Sequence, residues 1–179
     1  MSEPVEFRTE RLLLRPFYGT DAEDVFAYAK DPEWALYLDV PRPYRRRDAE
    51  KHVAGRIAAP WNTCPQFAVV LDSTVVGAIG LCVRESPEVA ELGYEIARVH
   101  WGKGLMTEAV RAVIDWGFRH RSLAKVFATA DLPNRGSWRV MEKLGMTREG
   151  VLRSEGKVRG LRVDKVYYGL LREEWEAGR

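Results

Sequence analysis

The chain has 179 residues, 46% of them hydrophobic and 30% charged, which suits one domain with a real core. No apolar run approaches the roughly 18 residues of a membrane-spanning helix, and two cysteines, Cys64 and Cys82, are too few for a disulfide framework or a cysteine-based metal site. The net charge of +2 is uneven: residues 111–179 hold 15 basic against 9 acidic side chains, and residues 1–110 hold 13 against 17. The basic second half suits an anionic ligand such as a nucleotide cofactor or a nucleic acid, or is simply a solvated face.

The first six residues, Met1–Glu6, are polar and acidic and lack the basic start and apolar run of a secretory signal, so a cytoplasmic protein is expected. Residues 11–17 (Arg-Leu-Leu-Leu-Arg-Pro-Phe) read as a first strand. Thr20 with Glu23 forms the pattern of a capping box and opens a helix to about Lys30, with Ala22, Val25, Phe26 and Ala29 at helical spacing. Residues 31–46 carry Pro32, Pro41 and Pro43 among Trp34, Tyr37 and Tyr44, an aromatic loop or broken helix. A second helix is predicted over Asp48–Ala59.

Strands follow at Phe67–Leu71, Val75–Val83 and Glu88–Ala97, the first two joined by a hairpin at Asp72-Ser73-Thr74. Leu105–His120 is a long amphipathic helix, Ala124–Ala130 a short strand, and Arg135–Leu144 a helix that Gly145 stops. Val151, Val158 and Val166–Leu171 mark closing strands with a turn near Arg159-Gly160. A strand meander followed by strand–helix–strand units predicts a mixed α/β sheet. His52, His100 and His120 show no metal-ligand spacing, and with the two cysteines they are expected to be packing or surface residues, with no metal.

The chemistry concentrates after the strand that ends near Ala97. Gly102-Lys103-Gly104 opens a helix, and glycines there let backbone approach a ligand closely. The unpaired first amides of a helix, at the positive end of its dipole, bind anions. The spacing matches neither a Walker loop nor the dinucleotide fingerprint GxGxxG. A second strand–helix junction carries Asn134-Arg135-Gly136-Ser137, and its helix closes as Lys143-Leu144-Gly145-Met146.

Taken together, Glu91-Leu92-Gly93-Tyr94, Trp101–Ala109, Asn134-x-x-Ser137, Lys143–Met146 leading to Glu149-Gly150-Val151-Leu152, and Tyr167–Trp175 resemble the GNAT acetyltransferase superfamily, in its RimJ/RimL-like branch of ribosomal-protein N-terminal acetyltransferases. The resemblance runs from Arg8-Thr9-Glu10-Arg11-Leu12 onward and covers nearly the whole chain as a single domain, 1–179. It implies a mixed central sheet splayed between two parallel strands, Glu88–Ala97 and Ala124–Ala130, with helices on both faces and acetyl-CoA in the splay. It further implies that the backbone of Tyr94, Ile96 and Ala97 pairs with the pantetheine arm of coenzyme A. The amides of Gly102, Lys103, Gly104, Leu105, Met106 and Thr107 would hold the pyrophosphate, with Asn134 on the cofactor arm and Ser137 near the sulfur.

Two positions depart from the family pattern. Met106 stands where a small residue is usual, and Met141 where many members carry a tyrosine acid. Ser137 is then the remaining donor to the leaving thiolate, or else a capping residue beside Asn134. For the acceptor's proton, Glu91 and Glu95 alternate onto one strand face, with Glu95 nearer the cofactor end and preferred. Glu155 lies one residue short of the place a RimL-like glutamate would take, an offset that a bulge would correct. Arg98, Lys103, Arg139 and Lys143 are candidates for the 3′-phosphate. The acceptor is an amine, on a protein N-terminus or a small molecule, and Trp34, Tyr37, Tyr44 and Trp61 would line its pocket or serve as core or homodimer contacts. Neither membrane nor direct nucleic-acid binding is expected.

Overall fold

The computed structural model describes residues 3–84, 86 and 88–178; Met1 and Ser2, part of the acidic start, lie outside them. Strands β1 (Phe7–Arg8), β2 (Leu13–Pro16), β3 (Gln66–Leu71), β4 (Thr74–Val83), β5 (Val89–Ile96), β6 (Lys125–Asp131), β7 (Thr147–Val158) and β8 (Leu161–Leu171) form one sheet, ordered β1-β2-β3-β4-β5-β6-β8-β7. The helices are α1 (Ala22–Ala29), α2 (Arg46–Ala58), α3 (Leu105–His120), α4 (Arg135–Lys143) and α5 (Arg172–Ala177). None of the described helices is long and apolar enough to cross a membrane.

The apolar run Phe67-Ala68-Val69-Val70 has no polar alternation because both faces of its strand are covered. Phe67 and Val69 enter one core with Val110, Val113 and Met141 from α3 and α4, while Ala68 and Val70 enter the other with Val25 and Val53 from α1 and α2. The hairpin turns fall where glycine-like backbone was expected. Asp72 and Ser73 have φ of 48° and 67°, and Arg159 and Gly160 have 50° and 81°, matching two-residue hairpins.

All neighbouring strands run antiparallel except β5 and β6. Their parallel pairing stops at Leu92↔Ala128, yet β5 stays bound to β4 as far as Ile96, and β6 to β8 as far as Asp131. The sheet therefore opens between β5 and β6 beyond Leu92, the splay that the resemblance implied.

Several boundaries move. The segment expected as one strand from Arg11 is the shorter β2, preceded by the small strand β1. Thr20 and Glu23 do not cap α1; Asp21 accepts the Tyr18 amide at 2.8 Å and pairs with Arg15, and a 3₁₀ turn leads into the helix. The second helix starts at Arg46 because Asp48 takes the Arg45 amide at 2.8 Å, which places Asp48 inside the first turn. Cys64 and Cys82, assigned to ordinary packing, are joined as a disulfide between the loop before β3 and the end of β4.

Candidate active site

Gly102 and Gly104 both take left-handed backbone, with φ of 74° and 78°. A Cβ there would be strained, and Gly104 is the residue from which α3 departs. The first helical bond of α3 runs from Glu108 N to the Gly104 carbonyl at 3.0 Å. The amides of Leu105, Met106 and Thr107 precede that bond and have no intrahelical partner, so they converge at the loop as anion donors. Met106 buries its side chain in the core and keeps it away from that concave face.

The loop is held from below. Glu108 accepts from Thr9 Oγ1 at 2.6 Å, from the Arg11 amide at 2.9 Å and from Arg11 Nε at 2.7 Å, and Arg11 also donates to the Lys103 carbonyl at 3.1 Å. Burial alone would push the Glu108 carboxyl up, but the bonds from Thr9 and Arg11 outweigh it and hold it below the usual carboxylate range. This tether explains why Arg8-Thr9-Glu10-Arg11 belongs to the same pattern as the glycine loop, which sequence spacing alone did not reveal.

On β5 the Ala97 amide donates to Val76 of β4 at 2.8 Å, and its carbonyl accepts from His100 at 2.9 Å. The Ala97 amide is thus taken within the fold, while its carbonyl keeps a second lone pair. Strand alternation then turns the amide and carbonyl of Tyr94 and of Ile96 toward the gap. Trp101 Nε1 donates to the Ile96 carbonyl at 3.0 Å, so the tryptophan of the loop shares this edge.

Across the gap, Asn134 is the N-cap of α4, its Oδ1 accepting the Ser137 amide at 3.3 Å. Ser137 is the capped residue and not the cap. Ser137 Oγ lies 3.2 Å from the Tyr94 hydroxyl, which donates to the Ser137 carbonyl at 2.8 Å. Met141 is fully buried in the core, so it supplies packing and no proton.

Glu95 points to the other face, toward α1 and α2. Its Oε1 lies 3.0 Å from His52 Nε2 and 3.3 Å from the Tyr28 hydroxyl, and its Oε2 lies 3.5 Å from Arg56. Burial pushes this carboxyl up, but Arg56 and His52 more than offset it and keep it below the ordinary carboxylate range. The Tyr28 hydroxyl is driven well up by burial and by the Glu95 charge, so it stays a neutral donor. His52 was expected to be packing, and Arg56 had no assigned role. Both face Glu95 because they sit four residues apart on one side of α2.

Glu91 lies below the gap, opposite Phe127 in the closed part of the sheet, and pairs with Arg84 at 3.0 Å. Glu155 sits in a bulge of β7 between Leu152 and Gly156, where Ser154 takes φ of 56°. Glu155 and Glu91 both act electrostatically on Tyr167.

The aromatic loop is fastened at three points. Asp31 pairs with Arg98 at 2.5 Å, Tyr37 donates to the Pro133 carbonyl at 3.4 Å, and Asp39 accepts the Arg159 amide at 3.0 Å. These bonds fasten the loop to the end of β5, to the junction before α4 and to the tip of the β7–β8 hairpin. Trp34 and Tyr44 are buried in the second core and stack edge-on at 5.8 Å, and Trp61 packs against Phe67 at 5.0 Å.

Residues 11–147 match the acetyltransferase (GNAT) domain. Over 172 residues the chain is 30% identical to the uncharacterized N-acetyltransferase p20 of Bacillus licheniformis, spanning 93% of this chain and 96% of that one. It is 32% identical over 97 residues to the ribosomal protein uS5-alanine N-acetyltransferase of Escherichia coli, spanning 54% of this chain and 50% of that one. The crystal structure of a GNAT-family acetyltransferase from Bacillus anthracis aligns with a TM-score of 0.85 at 30% identity, over 95% of this chain and all of that one. The chain belongs to the GNAT superfamily of N-acetyltransferases, whose acyl donor is acetyl-CoA.

Proposed function

We propose that the chain moves the acetyl group of acetyl-CoA to a primary amine, with a protein N-terminal α-amine as its acceptor. The observation that carries this reading is the buried Glu95, held anionic at the mouth of the gap by Arg56 and His52. A carboxylate kept that acidic is a weak base. An α-amine titrates near pH 8 and a lysine amine near 10.4, so at pH 7 the neutral α-amine is roughly 300 times the more abundant. A weak base, or a water bound to it, suffices for the first and serves the second poorly. The uS5-alanine acetyltransferase of Escherichia coli supports the same acceptor class by likeness.

In this reading the loop amides from Gly102 to Thr107 hold the pyrophosphate. Tyr94 and Ile96 present backbone to the pantetheine arm, Asn134 donates to it, and Ser137 stands at the sulfur. The residues present fit this ligand: an open strand edge, a glycine turn and an uncapped helix start lie along one line. Holding amine and thioester in line and offering an amide to the carbonyl oxygen supply most of the acceleration.

Thiol release should be seen with peptides bearing a free N-terminus, and not with N-blocked lysine peptides or polyamines. Its kcat/KM should rise with pH with a midpoint near 8, where the acceptor amine is half deprotonated. Glu95→Gln should lower kcat by about 100-fold. Turnover on polyamines alone would move the acceptor to a small molecule, and acetyl-CoA binding without turnover on any amine would make the chain a sensor. The tether below the loop gives a separate expectation: Glu108→Ala should raise the acetyl-CoA Kd about tenfold, read by calorimetry, because Thr9 and Arg11 no longer hold α3 under the loop.

A further inference from the structure

We propose that Tyr94 is a positioning residue for thiolate departure, holding both the backbone and the hydroxyl of Ser137 so that Oγ–H can turn onto the coenzyme A sulfur as the C–S bond breaks. This rests on the acetyl-transfer reading. Tyr94 and Glu95 are neighbours on β5, so their side chains leave on opposite faces. Glu95 meets α2 on the acceptor side, while Tyr94 meets α4 on the other. The strand thus carries the acceptor's carboxylate and the leaving group's support on adjacent residues.

The proton count fixes which hydroxyl donates. A tyrosine has one O–H, and that of Tyr94 is committed to the Ser137 carbonyl at 2.8 Å. The 3.2 Å contact between the two hydroxyls is therefore a donation from Ser137 Oγ to Tyr94 Oη. That distance is long for O–H···O, so the serine proton can leave it at small cost when a sulfur anion forms nearby. Burial pushes the Tyr94 phenol up, which keeps it neutral and fixed as a donor. Met141 is buried in the core and offers no donor of its own.

In the step itself the amine nitrogen bonds to the acetyl carbon, and the C–S pair stays on sulfur. The ammonium proton leaves on the Glu95 side, Tyr94 and Ser137 keep their protons, and the thiolate is protonated by solvent on release.

The test is a pH titration of the thiol of coenzyme A bound to the full chain, followed by thiolate absorbance. Ser137→Ala should raise the titration midpoint by about one pH unit, since a hydrogen bond that favours the anion is lost. Tyr94→Phe should raise it by a similar amount, and the double variant by no more than either. On peptide N-termini, Tyr94→Phe should lower kcat about tenfold with the acetyl-CoA KM within about twofold. An unmoved midpoint in Tyr94→Phe, or shifts that add in the double variant, would overturn the proposal. Wild type that fails to bind coenzyme A would instead sink the acetyl-transfer reading, and wild type that binds it without turnover leaves the titration to decide Tyr94.

Discussion

Valine at position 104 is expected to weaken acetyl-CoA binding by about 100-fold or more, while far-ultraviolet circular dichroism shows the helices intact. Gly104 sits at φ of 78°, and a β-branched residue there costs about 1–3 kcal/mol. The chain can accept that strain or rotate out of it. Rotation swings the amides of Leu105, Met106 and Thr107 away from their common focus, and the valine also crowds Arg11, whose Nη2 lies 3.7 Å from where even a first side-chain carbon would stand. Either route removes donors whose value lies in being fixed before the anion arrives. The helix itself survives, because Glu108 N to Gly104 O is its first bond and fifteen residues follow Leu105. Gly102→Ala is the milder companion, since a Cβ at Gly102 meets nothing within 4 Å and only the backbone term remains. Titration calorimetry with acetyl-CoA decides it: a Gly104→Val chain that binds as tightly as wild type would show that the phosphates rest elsewhere.

That loop was legible in the sequence because its chemistry is local. Glycines, a helix start and the strand before it lie within a dozen residues, and α3 begins and ends where periodicity placed it. The hairpin at Asp72 was readable for the same reason. Strand alternation likewise put Glu95 on a single face ahead of the structure. What the sequence concealed was every partner distant along the chain. His52 and Arg56 reach Glu95 across some 40 residues, Thr9 and Arg11 reach Glu108 across nearly a hundred, and Tyr94 meets Ser137 across 43. No period or spacing encodes such pairs; they exist only because the sheet order brings α2 over β5 and β1–β2 under α3. For the aromatic loop, composition left pocket wall and core both open; a core that must cover the second face of the sheet absorbs Trp34 and Tyr44.

Removing Arg56 should destabilise the fold by about 3–4 kcal/mol, more than any other single change considered, and should reverse part of its pH dependence. Arg56→Met keeps most of the aliphatic stem but removes the guanidinium that lies over the Phe17 ring, strips Glu95 of its cation and leaves Gln66 Oε1 without the 2.7 Å donor it now has. In a chain of this length the loss corresponds to a fall in Tm of about 6–16 °C. In wild type the Glu95 carboxyl is held below its unfolded value, so its contribution is present above about pH 4.3 and fades as pH falls through the folded value. Without Arg56, burial prevails and drives the carboxyl above its unfolded value. The folded chain then binds the proton more tightly than the unfolded one, and stability improves as pH drops from 7 toward 4. Urea midpoints for the two chains should therefore converge at acidic pH and diverge at neutral pH. Adding Glu95→Gln to the Arg56→Met chain should restore about 2 kcal/mol at pH 7, because a neutral amide needs no counter-ion. Parallel curves at all pH values, with no rescue by glutamine, would mean that Arg56 stabilises through Gln66 and packing alone. Glu95 would then owe its anionic form to His52, and the case for a weak base would shift to that histidine.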